Sequence, residues 1–318
     1  MKHNGSIYVA GHNGMVGSAI VRLLKKCGYQ KVLTVEREQC DLTRQDQVNA
    51  WFDSQEIGYV FLAAAKVGGI HVNNSYGAPF IHENLVIQTN VIHAAYEHGV
   101  EGLLFLGSSC IYPRECPQPI KEEYLLTGPL EPTNEPYAVA KIAGLKMIEA
   151  YNKQYGTRYL ALMPTNLYGP NDNFDLATSH VLPALLRKFH EAHESGAKCV
   201  RVWGTGSPLR EFLAVDDLAE ACLLCMQQAA GNTVINVGSG EEFTIAELAR
   251  LVAQTVGYHG DIEFDTGMPD GTPRKLLDSS RINALGWHAR TTLREGLSET
   301  YKWYLQQRSG KLVEHPSP

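Results

Sequence analysis

The sequence predicts an α/β chain built on a doubly wound parallel sheet, followed by a smaller α/β domain. Three observations predict it. A short apolar run, Ser6-Ile-Tyr-Val-Ala10, breaks into the glycine-rich turn Gly11-His-Asn-Gly14-Met-Val-Gly17 and then into residues at helical apolar spacing. Further apolar runs of strand length alternate with helical patterns as far as Gly169. Within that alternation, Gly107-Ser108-Ser109-Cys110 closes one run, and Tyr137-Ala-Val-Ala-Lys141 lies in the helical pattern beyond it.

Composition bounds the reading. At 318 residues, 44% hydrophobic and 19% charged, the chain can bury a large core in one large or two ordinary domains. A formal charge of −6 argues against a general nucleic-acid surface, which needs clustered cations. No apolar stretch reaches membrane-spanning length, and the start Met1-Lys-His-Asn lacks a cleavable apolar signal. A cytoplasmic protein with neither nucleic-acid nor membrane partner is expected. Seven scattered cysteines, an odd number, do not look like a disulfide framework. Cys222-Leu-Leu-Cys225 has metal-ligand spacing but sits in an apolar helical run without a second Cys or His pair, so no metal is expected.

In chain order, Met15 to Cys27 carries apolar residues at helical spacing and Gly28 supplies a stop. In a strand, turn and helix of this kind the glycines give a tight turn, close approach of backbone to a pyrophosphate, and close packing of helix on strand. The helix N-terminus then offers free N–H groups to the anion, which points to dinucleotide binding. Lys31 to Val35 reads as the second strand and ends at Glu36-Arg37. An acid there binds the ribose hydroxyls of NAD, whereas an arginine pairs with the extra phosphate of NADP. The sequence offers both. Asp41-Leu42 follows, where Asp41 either lies beside the adenine or caps its own loop.

Tyr59-Val-Phe-Leu-Ala63 is a third strand, continuing into Ala64-Ala-Lys-Val-Gly-Gly69, whose small residues let backbone approach a ligand. Ala78 to Gly99 reads as a long helix, and its His82, His93 and His98 lack ligand spacing. Leu103-Leu-Phe-Leu106 is the next strand; ligands of open parallel sheets bind beyond such carboxyl ends. The long segment Ile111 to Pro136, rich in Pro and acidic residues, reads as a functional lid or crossover.

Tyr159-Leu-Ala-Leu-Met-Pro164 is a further strand, running into Thr165-Asn166-Leu167-Tyr168-Gly169-Pro170. The alternation then loosens. Asp175 to His193 holds a loop and helix, and Cys199 to Trp203 and Arg210 to Val215 are strands. Asp216-Asp217 are expected to cap a helix through Gln228, and Thr244-Ile-Ala-Glu247 is a capping box. The last helix runs from Thr292 to Gln307, and the polar tail Gly310 to Pro318 is expected to fray.

The spacing of four between Tyr137 and Lys141 brings phenol and ammonium onto one helix face, where the lysine can stabilise the phenolate and lower the tyrosine pKa. An isolated Tyr-x-x-x-Lys is more often a surface lysine lying over a helical tyrosine. The glycine turn and the Gly107–Cys110 stretch, in this order upstream, favour chemistry.

On these motifs the chain resembles the extended short-chain dehydrogenase/reductase superfamily, whose sheet is of the Rossmann type. Within it the chain is similar to the GDP-L-fucose synthase family. The superfamily marks are the glycine turn, the Ser108, Tyr137 and Lys141 set, and Arg210-Glu-Phe-Leu-Ala-Val-Asp-Asp217. More specific are Ala63-Ala-Ala-Lys-Val-Gly-Gly69, Leu106-Gly-Ser-Ser-Cys-Ile-Tyr-Pro113, Glu131-Pro-Thr-Asn-Glu-Pro-Tyr-Ala138, Met163-Pro-Thr-Asn-Leu-Tyr-Gly-Pro170 and Pro269-Asp-Gly-Thr-Pro-Arg-Lys-Leu-Leu-Asp278.

The resemblance implies a cofactor domain over residues 1–168 and a mainly substrate-binding domain over 169–318, some of whose segments return to the first. It implies NADP(H), a GDP-sugar substrate and a homodimer formed through the helices near Ala78–Gly99 and Tyr137–Tyr155. The implied reaction converts GDP-4-keto-6-deoxy-D-mannose to GDP-L-fucose by inversion at C3 and C5 and reduction at C4. Ser108, Tyr137 and Lys141 are implied for reduction, and Cys110 with His180 for inversion. Cofactor contacts are implied at Gly11, His12, Asn13, Gly14, Met15, Val16, Gly17, Arg37, Asp41, Leu42, Ala64, Leu106, Gly107, Lys141, Pro164, Asn166, Leu167 and His180. Substrate contacts are implied at Lys188, Trp203, Arg210 and Asp270. By their residues alone, Cys110 also reads as packing beneath its loop, His180 as a helix-start residue and Lys188 as an exposed charge.

Two departures stand out. Asn13 occupies a place where a basic residue often assists the NADP phosphate, leaving more of that contact to Arg37; Lys188 stands where the family is expected to carry arginine. Rival readings are a GDP-colitose synthase, a UDP-sugar 4-epimerase, which Cys110 with His180 disfavours, and a non-enzymatic nucleotide sensor, which the retained Ser108, Tyr137 and Lys141 disfavour.

Overall fold

The computed structural model describes residues 1, 5–228, 233–268 and 270–310. The expected fraying of the tail therefore falls, beyond Gly310, outside the described residues. The chain begins β1 (Ile7–Ala10), α1 (Met15–Lys26), β2 (Val32–Leu33), α2 (Gln45–Ser54), β3 (Tyr59–Leu62), α3 (Ile70–Ser75), α4 (Gly77–Glu97) and β4 (Gly102–Leu106). It continues through α5 (Glu135–Tyr155), β5 (Tyr159–Pro164), β6 (Asn166–Tyr168), α6 (Val181–Ser195), β7 (Cys199–Trp203), β8 (Leu209–Ala214) and α7 (Val215–Gln228). It ends with β9 (Val234–Val237), β10 (Glu242–Thr244), α8 (Ile245–Val256), β11 (Asp261–Asp265), β12 (Arg274–Lys275), α9 (Ser280–Ala284) and α10 (Leu293–Arg308).

Six strands form one wholly parallel sheet in the order β2-β1-β3-β4-β5-β9. Every residue of β1, β3, β4 and β5 is buried, as expected for a sheet covered on both faces. Ile7 and Val9 of β1 pack with Ile20 and Leu24 of α1 and Leu218 of α7, while Tyr8 and Ala10 face Phe52 of α2 and Leu145 of α5. The chain leaves β1 toward β2 and returns on the other side as β3, so the ligand crevice of a doubly wound sheet lies at the carboxyl ends of β1 and β3.

Two glycines at that crevice are required by contact. Gly11 has φ 85°, and a Cβ there would lie 2.6 Å from the Ala64 amide nitrogen. A Cβ on Gly17 would strike the Gly11 carbonyl oxygen, so α1 can sit this close to the turn only with glycine at position 17.

Past Gly169 the chain divides its elements. The helix α7 packs against α1, and β9 pairs with β5 to complete the large sheet. The helices α6, α8 and α10 instead bury Phe189, Leu248 and Leu297 in a second core, beside the sheet β10-β8-β12 with β6 on β8 and the pair β11-β7.

Several local expectations are corrected. The second strand is confined to Val32–Leu33. Three short helices escaped the sequence reading: α2, whose buried stripe is only Val48 and Phe52, the six-residue α3 and the five-residue α9. Asp216 and Asp217 do not cap α7, which continues directly from β8. Asp217 instead accepts hydrogen bonds from the Arg290 and Thr291 amides (3.2 and 2.9 Å), and Asp216 pairs with Arg22 of α1 at 2.7 Å. The capping box at Thr244 and Glu247 forms as expected.

Candidate active site

At the crevice, α1 starts on Gly14 with no side-chain cap and no acidic residue in its first turn, leaving a positive helix end open to an anion. Around it the polar residues are tethered to one another. Glu36 lies 3.1 Å from His12 Nε2 and accepts a hydrogen bond from Asn13 Nδ2 at 2.7 Å. The exposed Arg37 guanidinium is 3.5 Å from Asp41. Asp41 caps its loop, accepting from the Thr43 amide and hydroxyl at 2.9 and 2.8 Å. Burial opposes ionisation of this carboxyl, but the Thr43 hydrogen bonds and Arg37 outweigh it and hold the pKa below its ordinary value.

A second cluster sits beyond β4. After Gly107 the backbone turns at Ser108, whose hydroxyl accepts from the Cys110 amide at 3.2 Å and donates to Cys110 Sγ at 3.2 Å. Asn134 Nδ2 reaches the same sulfur at 3.4 Å and Lys275 Nζ at 3.8 Å. From α5, Lys141 donates to the Leu106 carbonyl at 2.8 Å, with its ammonium 4.6 Å from the centre of the Phe105 ring and 5.8 Å from that of Tyr137. Next to Cys110 and Lys275 lies a small cleft, bounded also by Asn134 and Thr272.

The electrostatics differ from the sequence expectation. Tyr137 is half-buried, and His180, although exposed as a residue, has protein packed closely around it. Burial pushes the Tyr137 phenol well above its ordinary pKa, the Cys110 sulfur adds to this, and a hydrogen bond from Ser108 opposes it. Burial brings Lys141 down to about 7. Lys141 therefore does not lower the Tyr137 pKa here: an ammonium that is itself costly to keep charged is a weak stabiliser of a neighbouring phenolate. At neutral pH the phenol holds its proton, as a proton donor must.

His180 occupies the N-cap position of α6 in extended backbone, yet its side chain makes no capping bond. A hydrogen bond of 2.8 Å from the Gly69 amide to the Thr178 carbonyl ties the loop after β3 to the residues that lead into it. Burial, and secondarily Lys275, push the His180 pKa down.

With this geometry in view the comparisons are specific. Residues 7–238 match the model of the NAD dependent epimerase/dehydratase family. A GDP-L-fucose synthase of Arabidopsis thaliana is 59% identical over 303 residues, covering 95% of this chain and 94% of the relative. One from Escherichia coli (strain K12) is 53% identical over 309 residues, covering 94% and 96%. A crystal structure of a GDP-L-fucose synthetase from Naegleria fowleri bound to NADP superimposes with a TM-score of 0.89 at 28% identity, covering 97% and 96%. The chain belongs to the NAD dependent epimerase/dehydratase family, among the GDP-L-fucose synthases.

In this family member the four residues expected to contact the substrate stand in two pairs, Lys188 with Trp203 and Arg210 with Asp270. Lys188 Nζ lies 5.3 Å from the centre of the half-exposed Trp203 ring. Arg210 Nη2 is 3.4 Å from the Asp270 carbonyl, and Thr205, two residues after Trp203, donates to the Asp270 carboxylate from its amide (2.7 Å) and hydroxyl (2.9 Å). The Asp270 carboxylate is thus partly spent on Thr205.

Sequence reading did not single out Asn134 or Lys275 as site residues. Both lie inside quoted blocks, but neither stands at an informative spacing from Cys110; only the folded chain brings them to the sulfur. No metal-binding group of His, Cys, Asp or Glu occurs among the described residues, and Cys222 and Cys225 are buried in α7.

The buried Lys141 generates a pH prediction. Its pKa falls from 10.5 to about 7 on folding, so stability decreases as pH drops through that window and stays low below it. Lys141→Met should raise thermal stability most at pH 6, by on the order of a few kcal/mol, with the gain vanishing toward pH 11. It should also lower turnover by about 10²-fold or more. Melting curves of both proteins across pH test this; an equal change at pH 6 and pH 10 would contradict it.

Proposed function

We propose that this chain converts GDP-4-keto-6-deoxy-D-mannose to GDP-L-fucose in one site, inverting C3 and C5 and reducing the C4 ketone with NADPH. The observation that carries the reading is the gathering of hydroxyl, thiol and phenol around Ser108 at the end of β4.

The residues present fit NADP(H). The Gly11–Gly17 backbone and the acid-free α1 terminus suit the diphosphate, and Arg37 is exposed to meet the additional phosphate. Glu36 would repel that phosphate, but its carboxylate is held by His12 and Asn13. Ala64, Leu106, Gly107, Pro164, Asn166 and Leu167 would line the remainder. When bound, the cofactor supplies the hydride for C4.

A proton next to a ketone becomes removable when donors stabilise the developing enolate oxygen, the role assigned to the Ser108 and Tyr137 hydroxyls. Cys110 and His180 then handle protons on opposite faces of the sugar at C3 and C5. Tyr137, protonated at neutral pH, gives its proton to the C4 oxygen during reduction. Lys188 and Arg210 suit the diphosphate of the sugar nucleotide, Trp203 can wall its pocket, and Asp270 can accept from a hydroxyl.

The two chemical steps should fail separately. With this substrate in deuterated water, Cys110→Ser should impair isotope uptake at C3 and C5 while leaving part of the NADPH oxidation. Tyr137→Phe should suppress NADPH oxidation most, each loss being about 10²–10⁴-fold. Mass spectrometry of the sugar beside a cofactor-absorbance assay reads both, and product analysis distinguishes fucose from colitose chemistry. Normal uptake by Cys110→Ser would demote the thiol to packing, and no turnover by the wild type would remove the substrate assignment.

Cofactor preference follows from Arg37. Arg37→Ala should weaken NADPH much more than NADH in steady-state kinetics; equal losses would place the guanidinium away from the phosphate. A homodimer through α4 and α5 fits the exposed Val139 and Tyr155 of α5 and the Tyr96–Tyr155 stack joining the two helices at 4.2 Å. Sedimentation should return about twice the chain mass of 35.1 kDa, and a monomer would refute it.

A further inference from the structure

We propose that Lys275 is an electrostatic positioning residue for the epimerisation step, its ammonium set against the Cys110 sulfur so that the base form of the thiol is favoured. The contact is built rather than incidental. Lys275 Nζ lies 3.8 Å from Cys110 Sγ, while Asn134 and Ser108 approach the same sulfur from other elements.

Lys275 ends the short strand β12, which is fastened to β8 and, across it, to β10. Lys275 pairs with Arg210 of β8, and the preceding Arg274 makes a two-pronged ion pair with Glu242 on β10. Beyond it, Leu276 donates to Gln118 at 2.9 Å and Leu277 to the buried Glu211 carboxylate at 3.1 Å. On the near side, Thr272 donates to Glu131 at 3.3 Å. These bonds hold the backbone that carries the ammonium, so its distance from the thiol is set by the fold.

The chemistry needs such a charge. Removing a C–H proton requires thiolate, because the thiol is a poor base. The sulfur accepts the proton and the electron pair of the C–H bond moves toward the C4 oxygen; His180 then gives a ring proton to the opposite face, and the enolate collapses to the ketone. A cation 3.8 Å from the sulfur favours the anionic base. The ionisable groups around Cys110 include Tyr137 and Lys141 from α5 and Lys275 from β12, with Arg114, Glu131 and Arg274 lining the same cleft; Cys116 and His180 lie within the electrostatic reach of Lys275. Lys141 is buried and its pKa is brought down to about 7, so it is a weak source of positive charge beside the thiol at neutral pH.

Two measurements test the inference, and only the second rests on the proposed function. First, the rate of Cys110 alkylation by iodoacetamide is followed against pH by peptide mass spectrometry in wild type, Lys275→Met, Lys275→Gln and Lys275→Arg. Loss of the charge should move the Cys110 profile up by about one to three pH units, roughly tenfold slower alkylation at pH 7 for each unit. Lys275→Arg should stay close to wild type. An unmoved profile in whichever neutral variant folds would overturn the inference. Second, deuterium uptake at C3 and C5 of GDP-4-keto-6-deoxy-D-mannose is measured across pH. Without the ammonium the base form of Cys110 is reached only at higher pH, so the limb of the uptake profile set by the thiol should shift to alkaline pH. A raised KM with unshifted profiles would make Lys275 a ligand contact instead. Absence of uptake by the wild type would sink the proposed function and leave the alkylation result to decide Lys275.

Discussion

The buried carboxylate of Glu211 is the interaction on which the arrangement of the site depends. It is fully enclosed on β8 and accepts backbone hydrogen bonds from Gly240 at 2.8 Å and Leu277 at 3.1 Å. The Glu211 carbonyl receives the Thr165 hydroxyl and the Asn166 side chain at 3.2 and 2.8 Å. One residue thereby joins the end of β5, the start of β6, the turn after β9 and the strap that follows β12. Burial raises its pKa, and the donors around it work against that shift. A buried acid is tolerable only with such partners, and here the partners are the segments that frame the cleft.

Desolvation also sets the chemical character of the site. Tyr137, Lys141 and His180 all shift chiefly through burial, each toward its neutral form. A neutral phenol can deliver a proton, and a lysine near the midpoint of its titration can respond to a bound charge. Arg37 is exposed and Lys275 and Lys188 are half-buried, whereas Lys141 is fully enclosed. Burying uncompensated charge is costly to folding, so the interior cations are few and hydrogen-bonded.

The two packed bodies divide the labour according to their secondary structure. The parallel sheet supplies fixed carboxyl ends, from which Ser108 and Cys110 project after β4. The second body supplies side chains from less regular elements: His180 at the start of α6, Trp203 at the end of β7 and Lys275 on β12. Because the chain crosses between the bodies repeatedly after Gly169, the position of each of these side chains depends on packing between segments distant in sequence.

What the sequence by itself determined is therefore local. The turn at Gly11 to Gly17, the buried strands, the long helices α4 and α5, the capping box of α8 and the facing of Tyr137 and Lys141 follow from periodicity, capping and glycine chemistry within a few residues. Asp216 and Asp217 show where that logic fails: acids at a helix start usually cap it, but β8 runs directly into α7, and they serve Arg22 and the Arg290–Thr291 turn instead. The thin stripe of α2 failed for the same reason, since burial of only Val48 and Phe52 is decided by the sheet beneath it. The tyrosine shift reversed its expected direction because spacing reveals which charges are near, but not how much water is withdrawn from them. Asn134 and Lys275 lie 24 and 165 residues from Cys110, and only the tertiary structure brings them to its sulfur. Helix and turn signals reach a few residues; desolvation and contacts across such separations exist only once the chain has closed on itself.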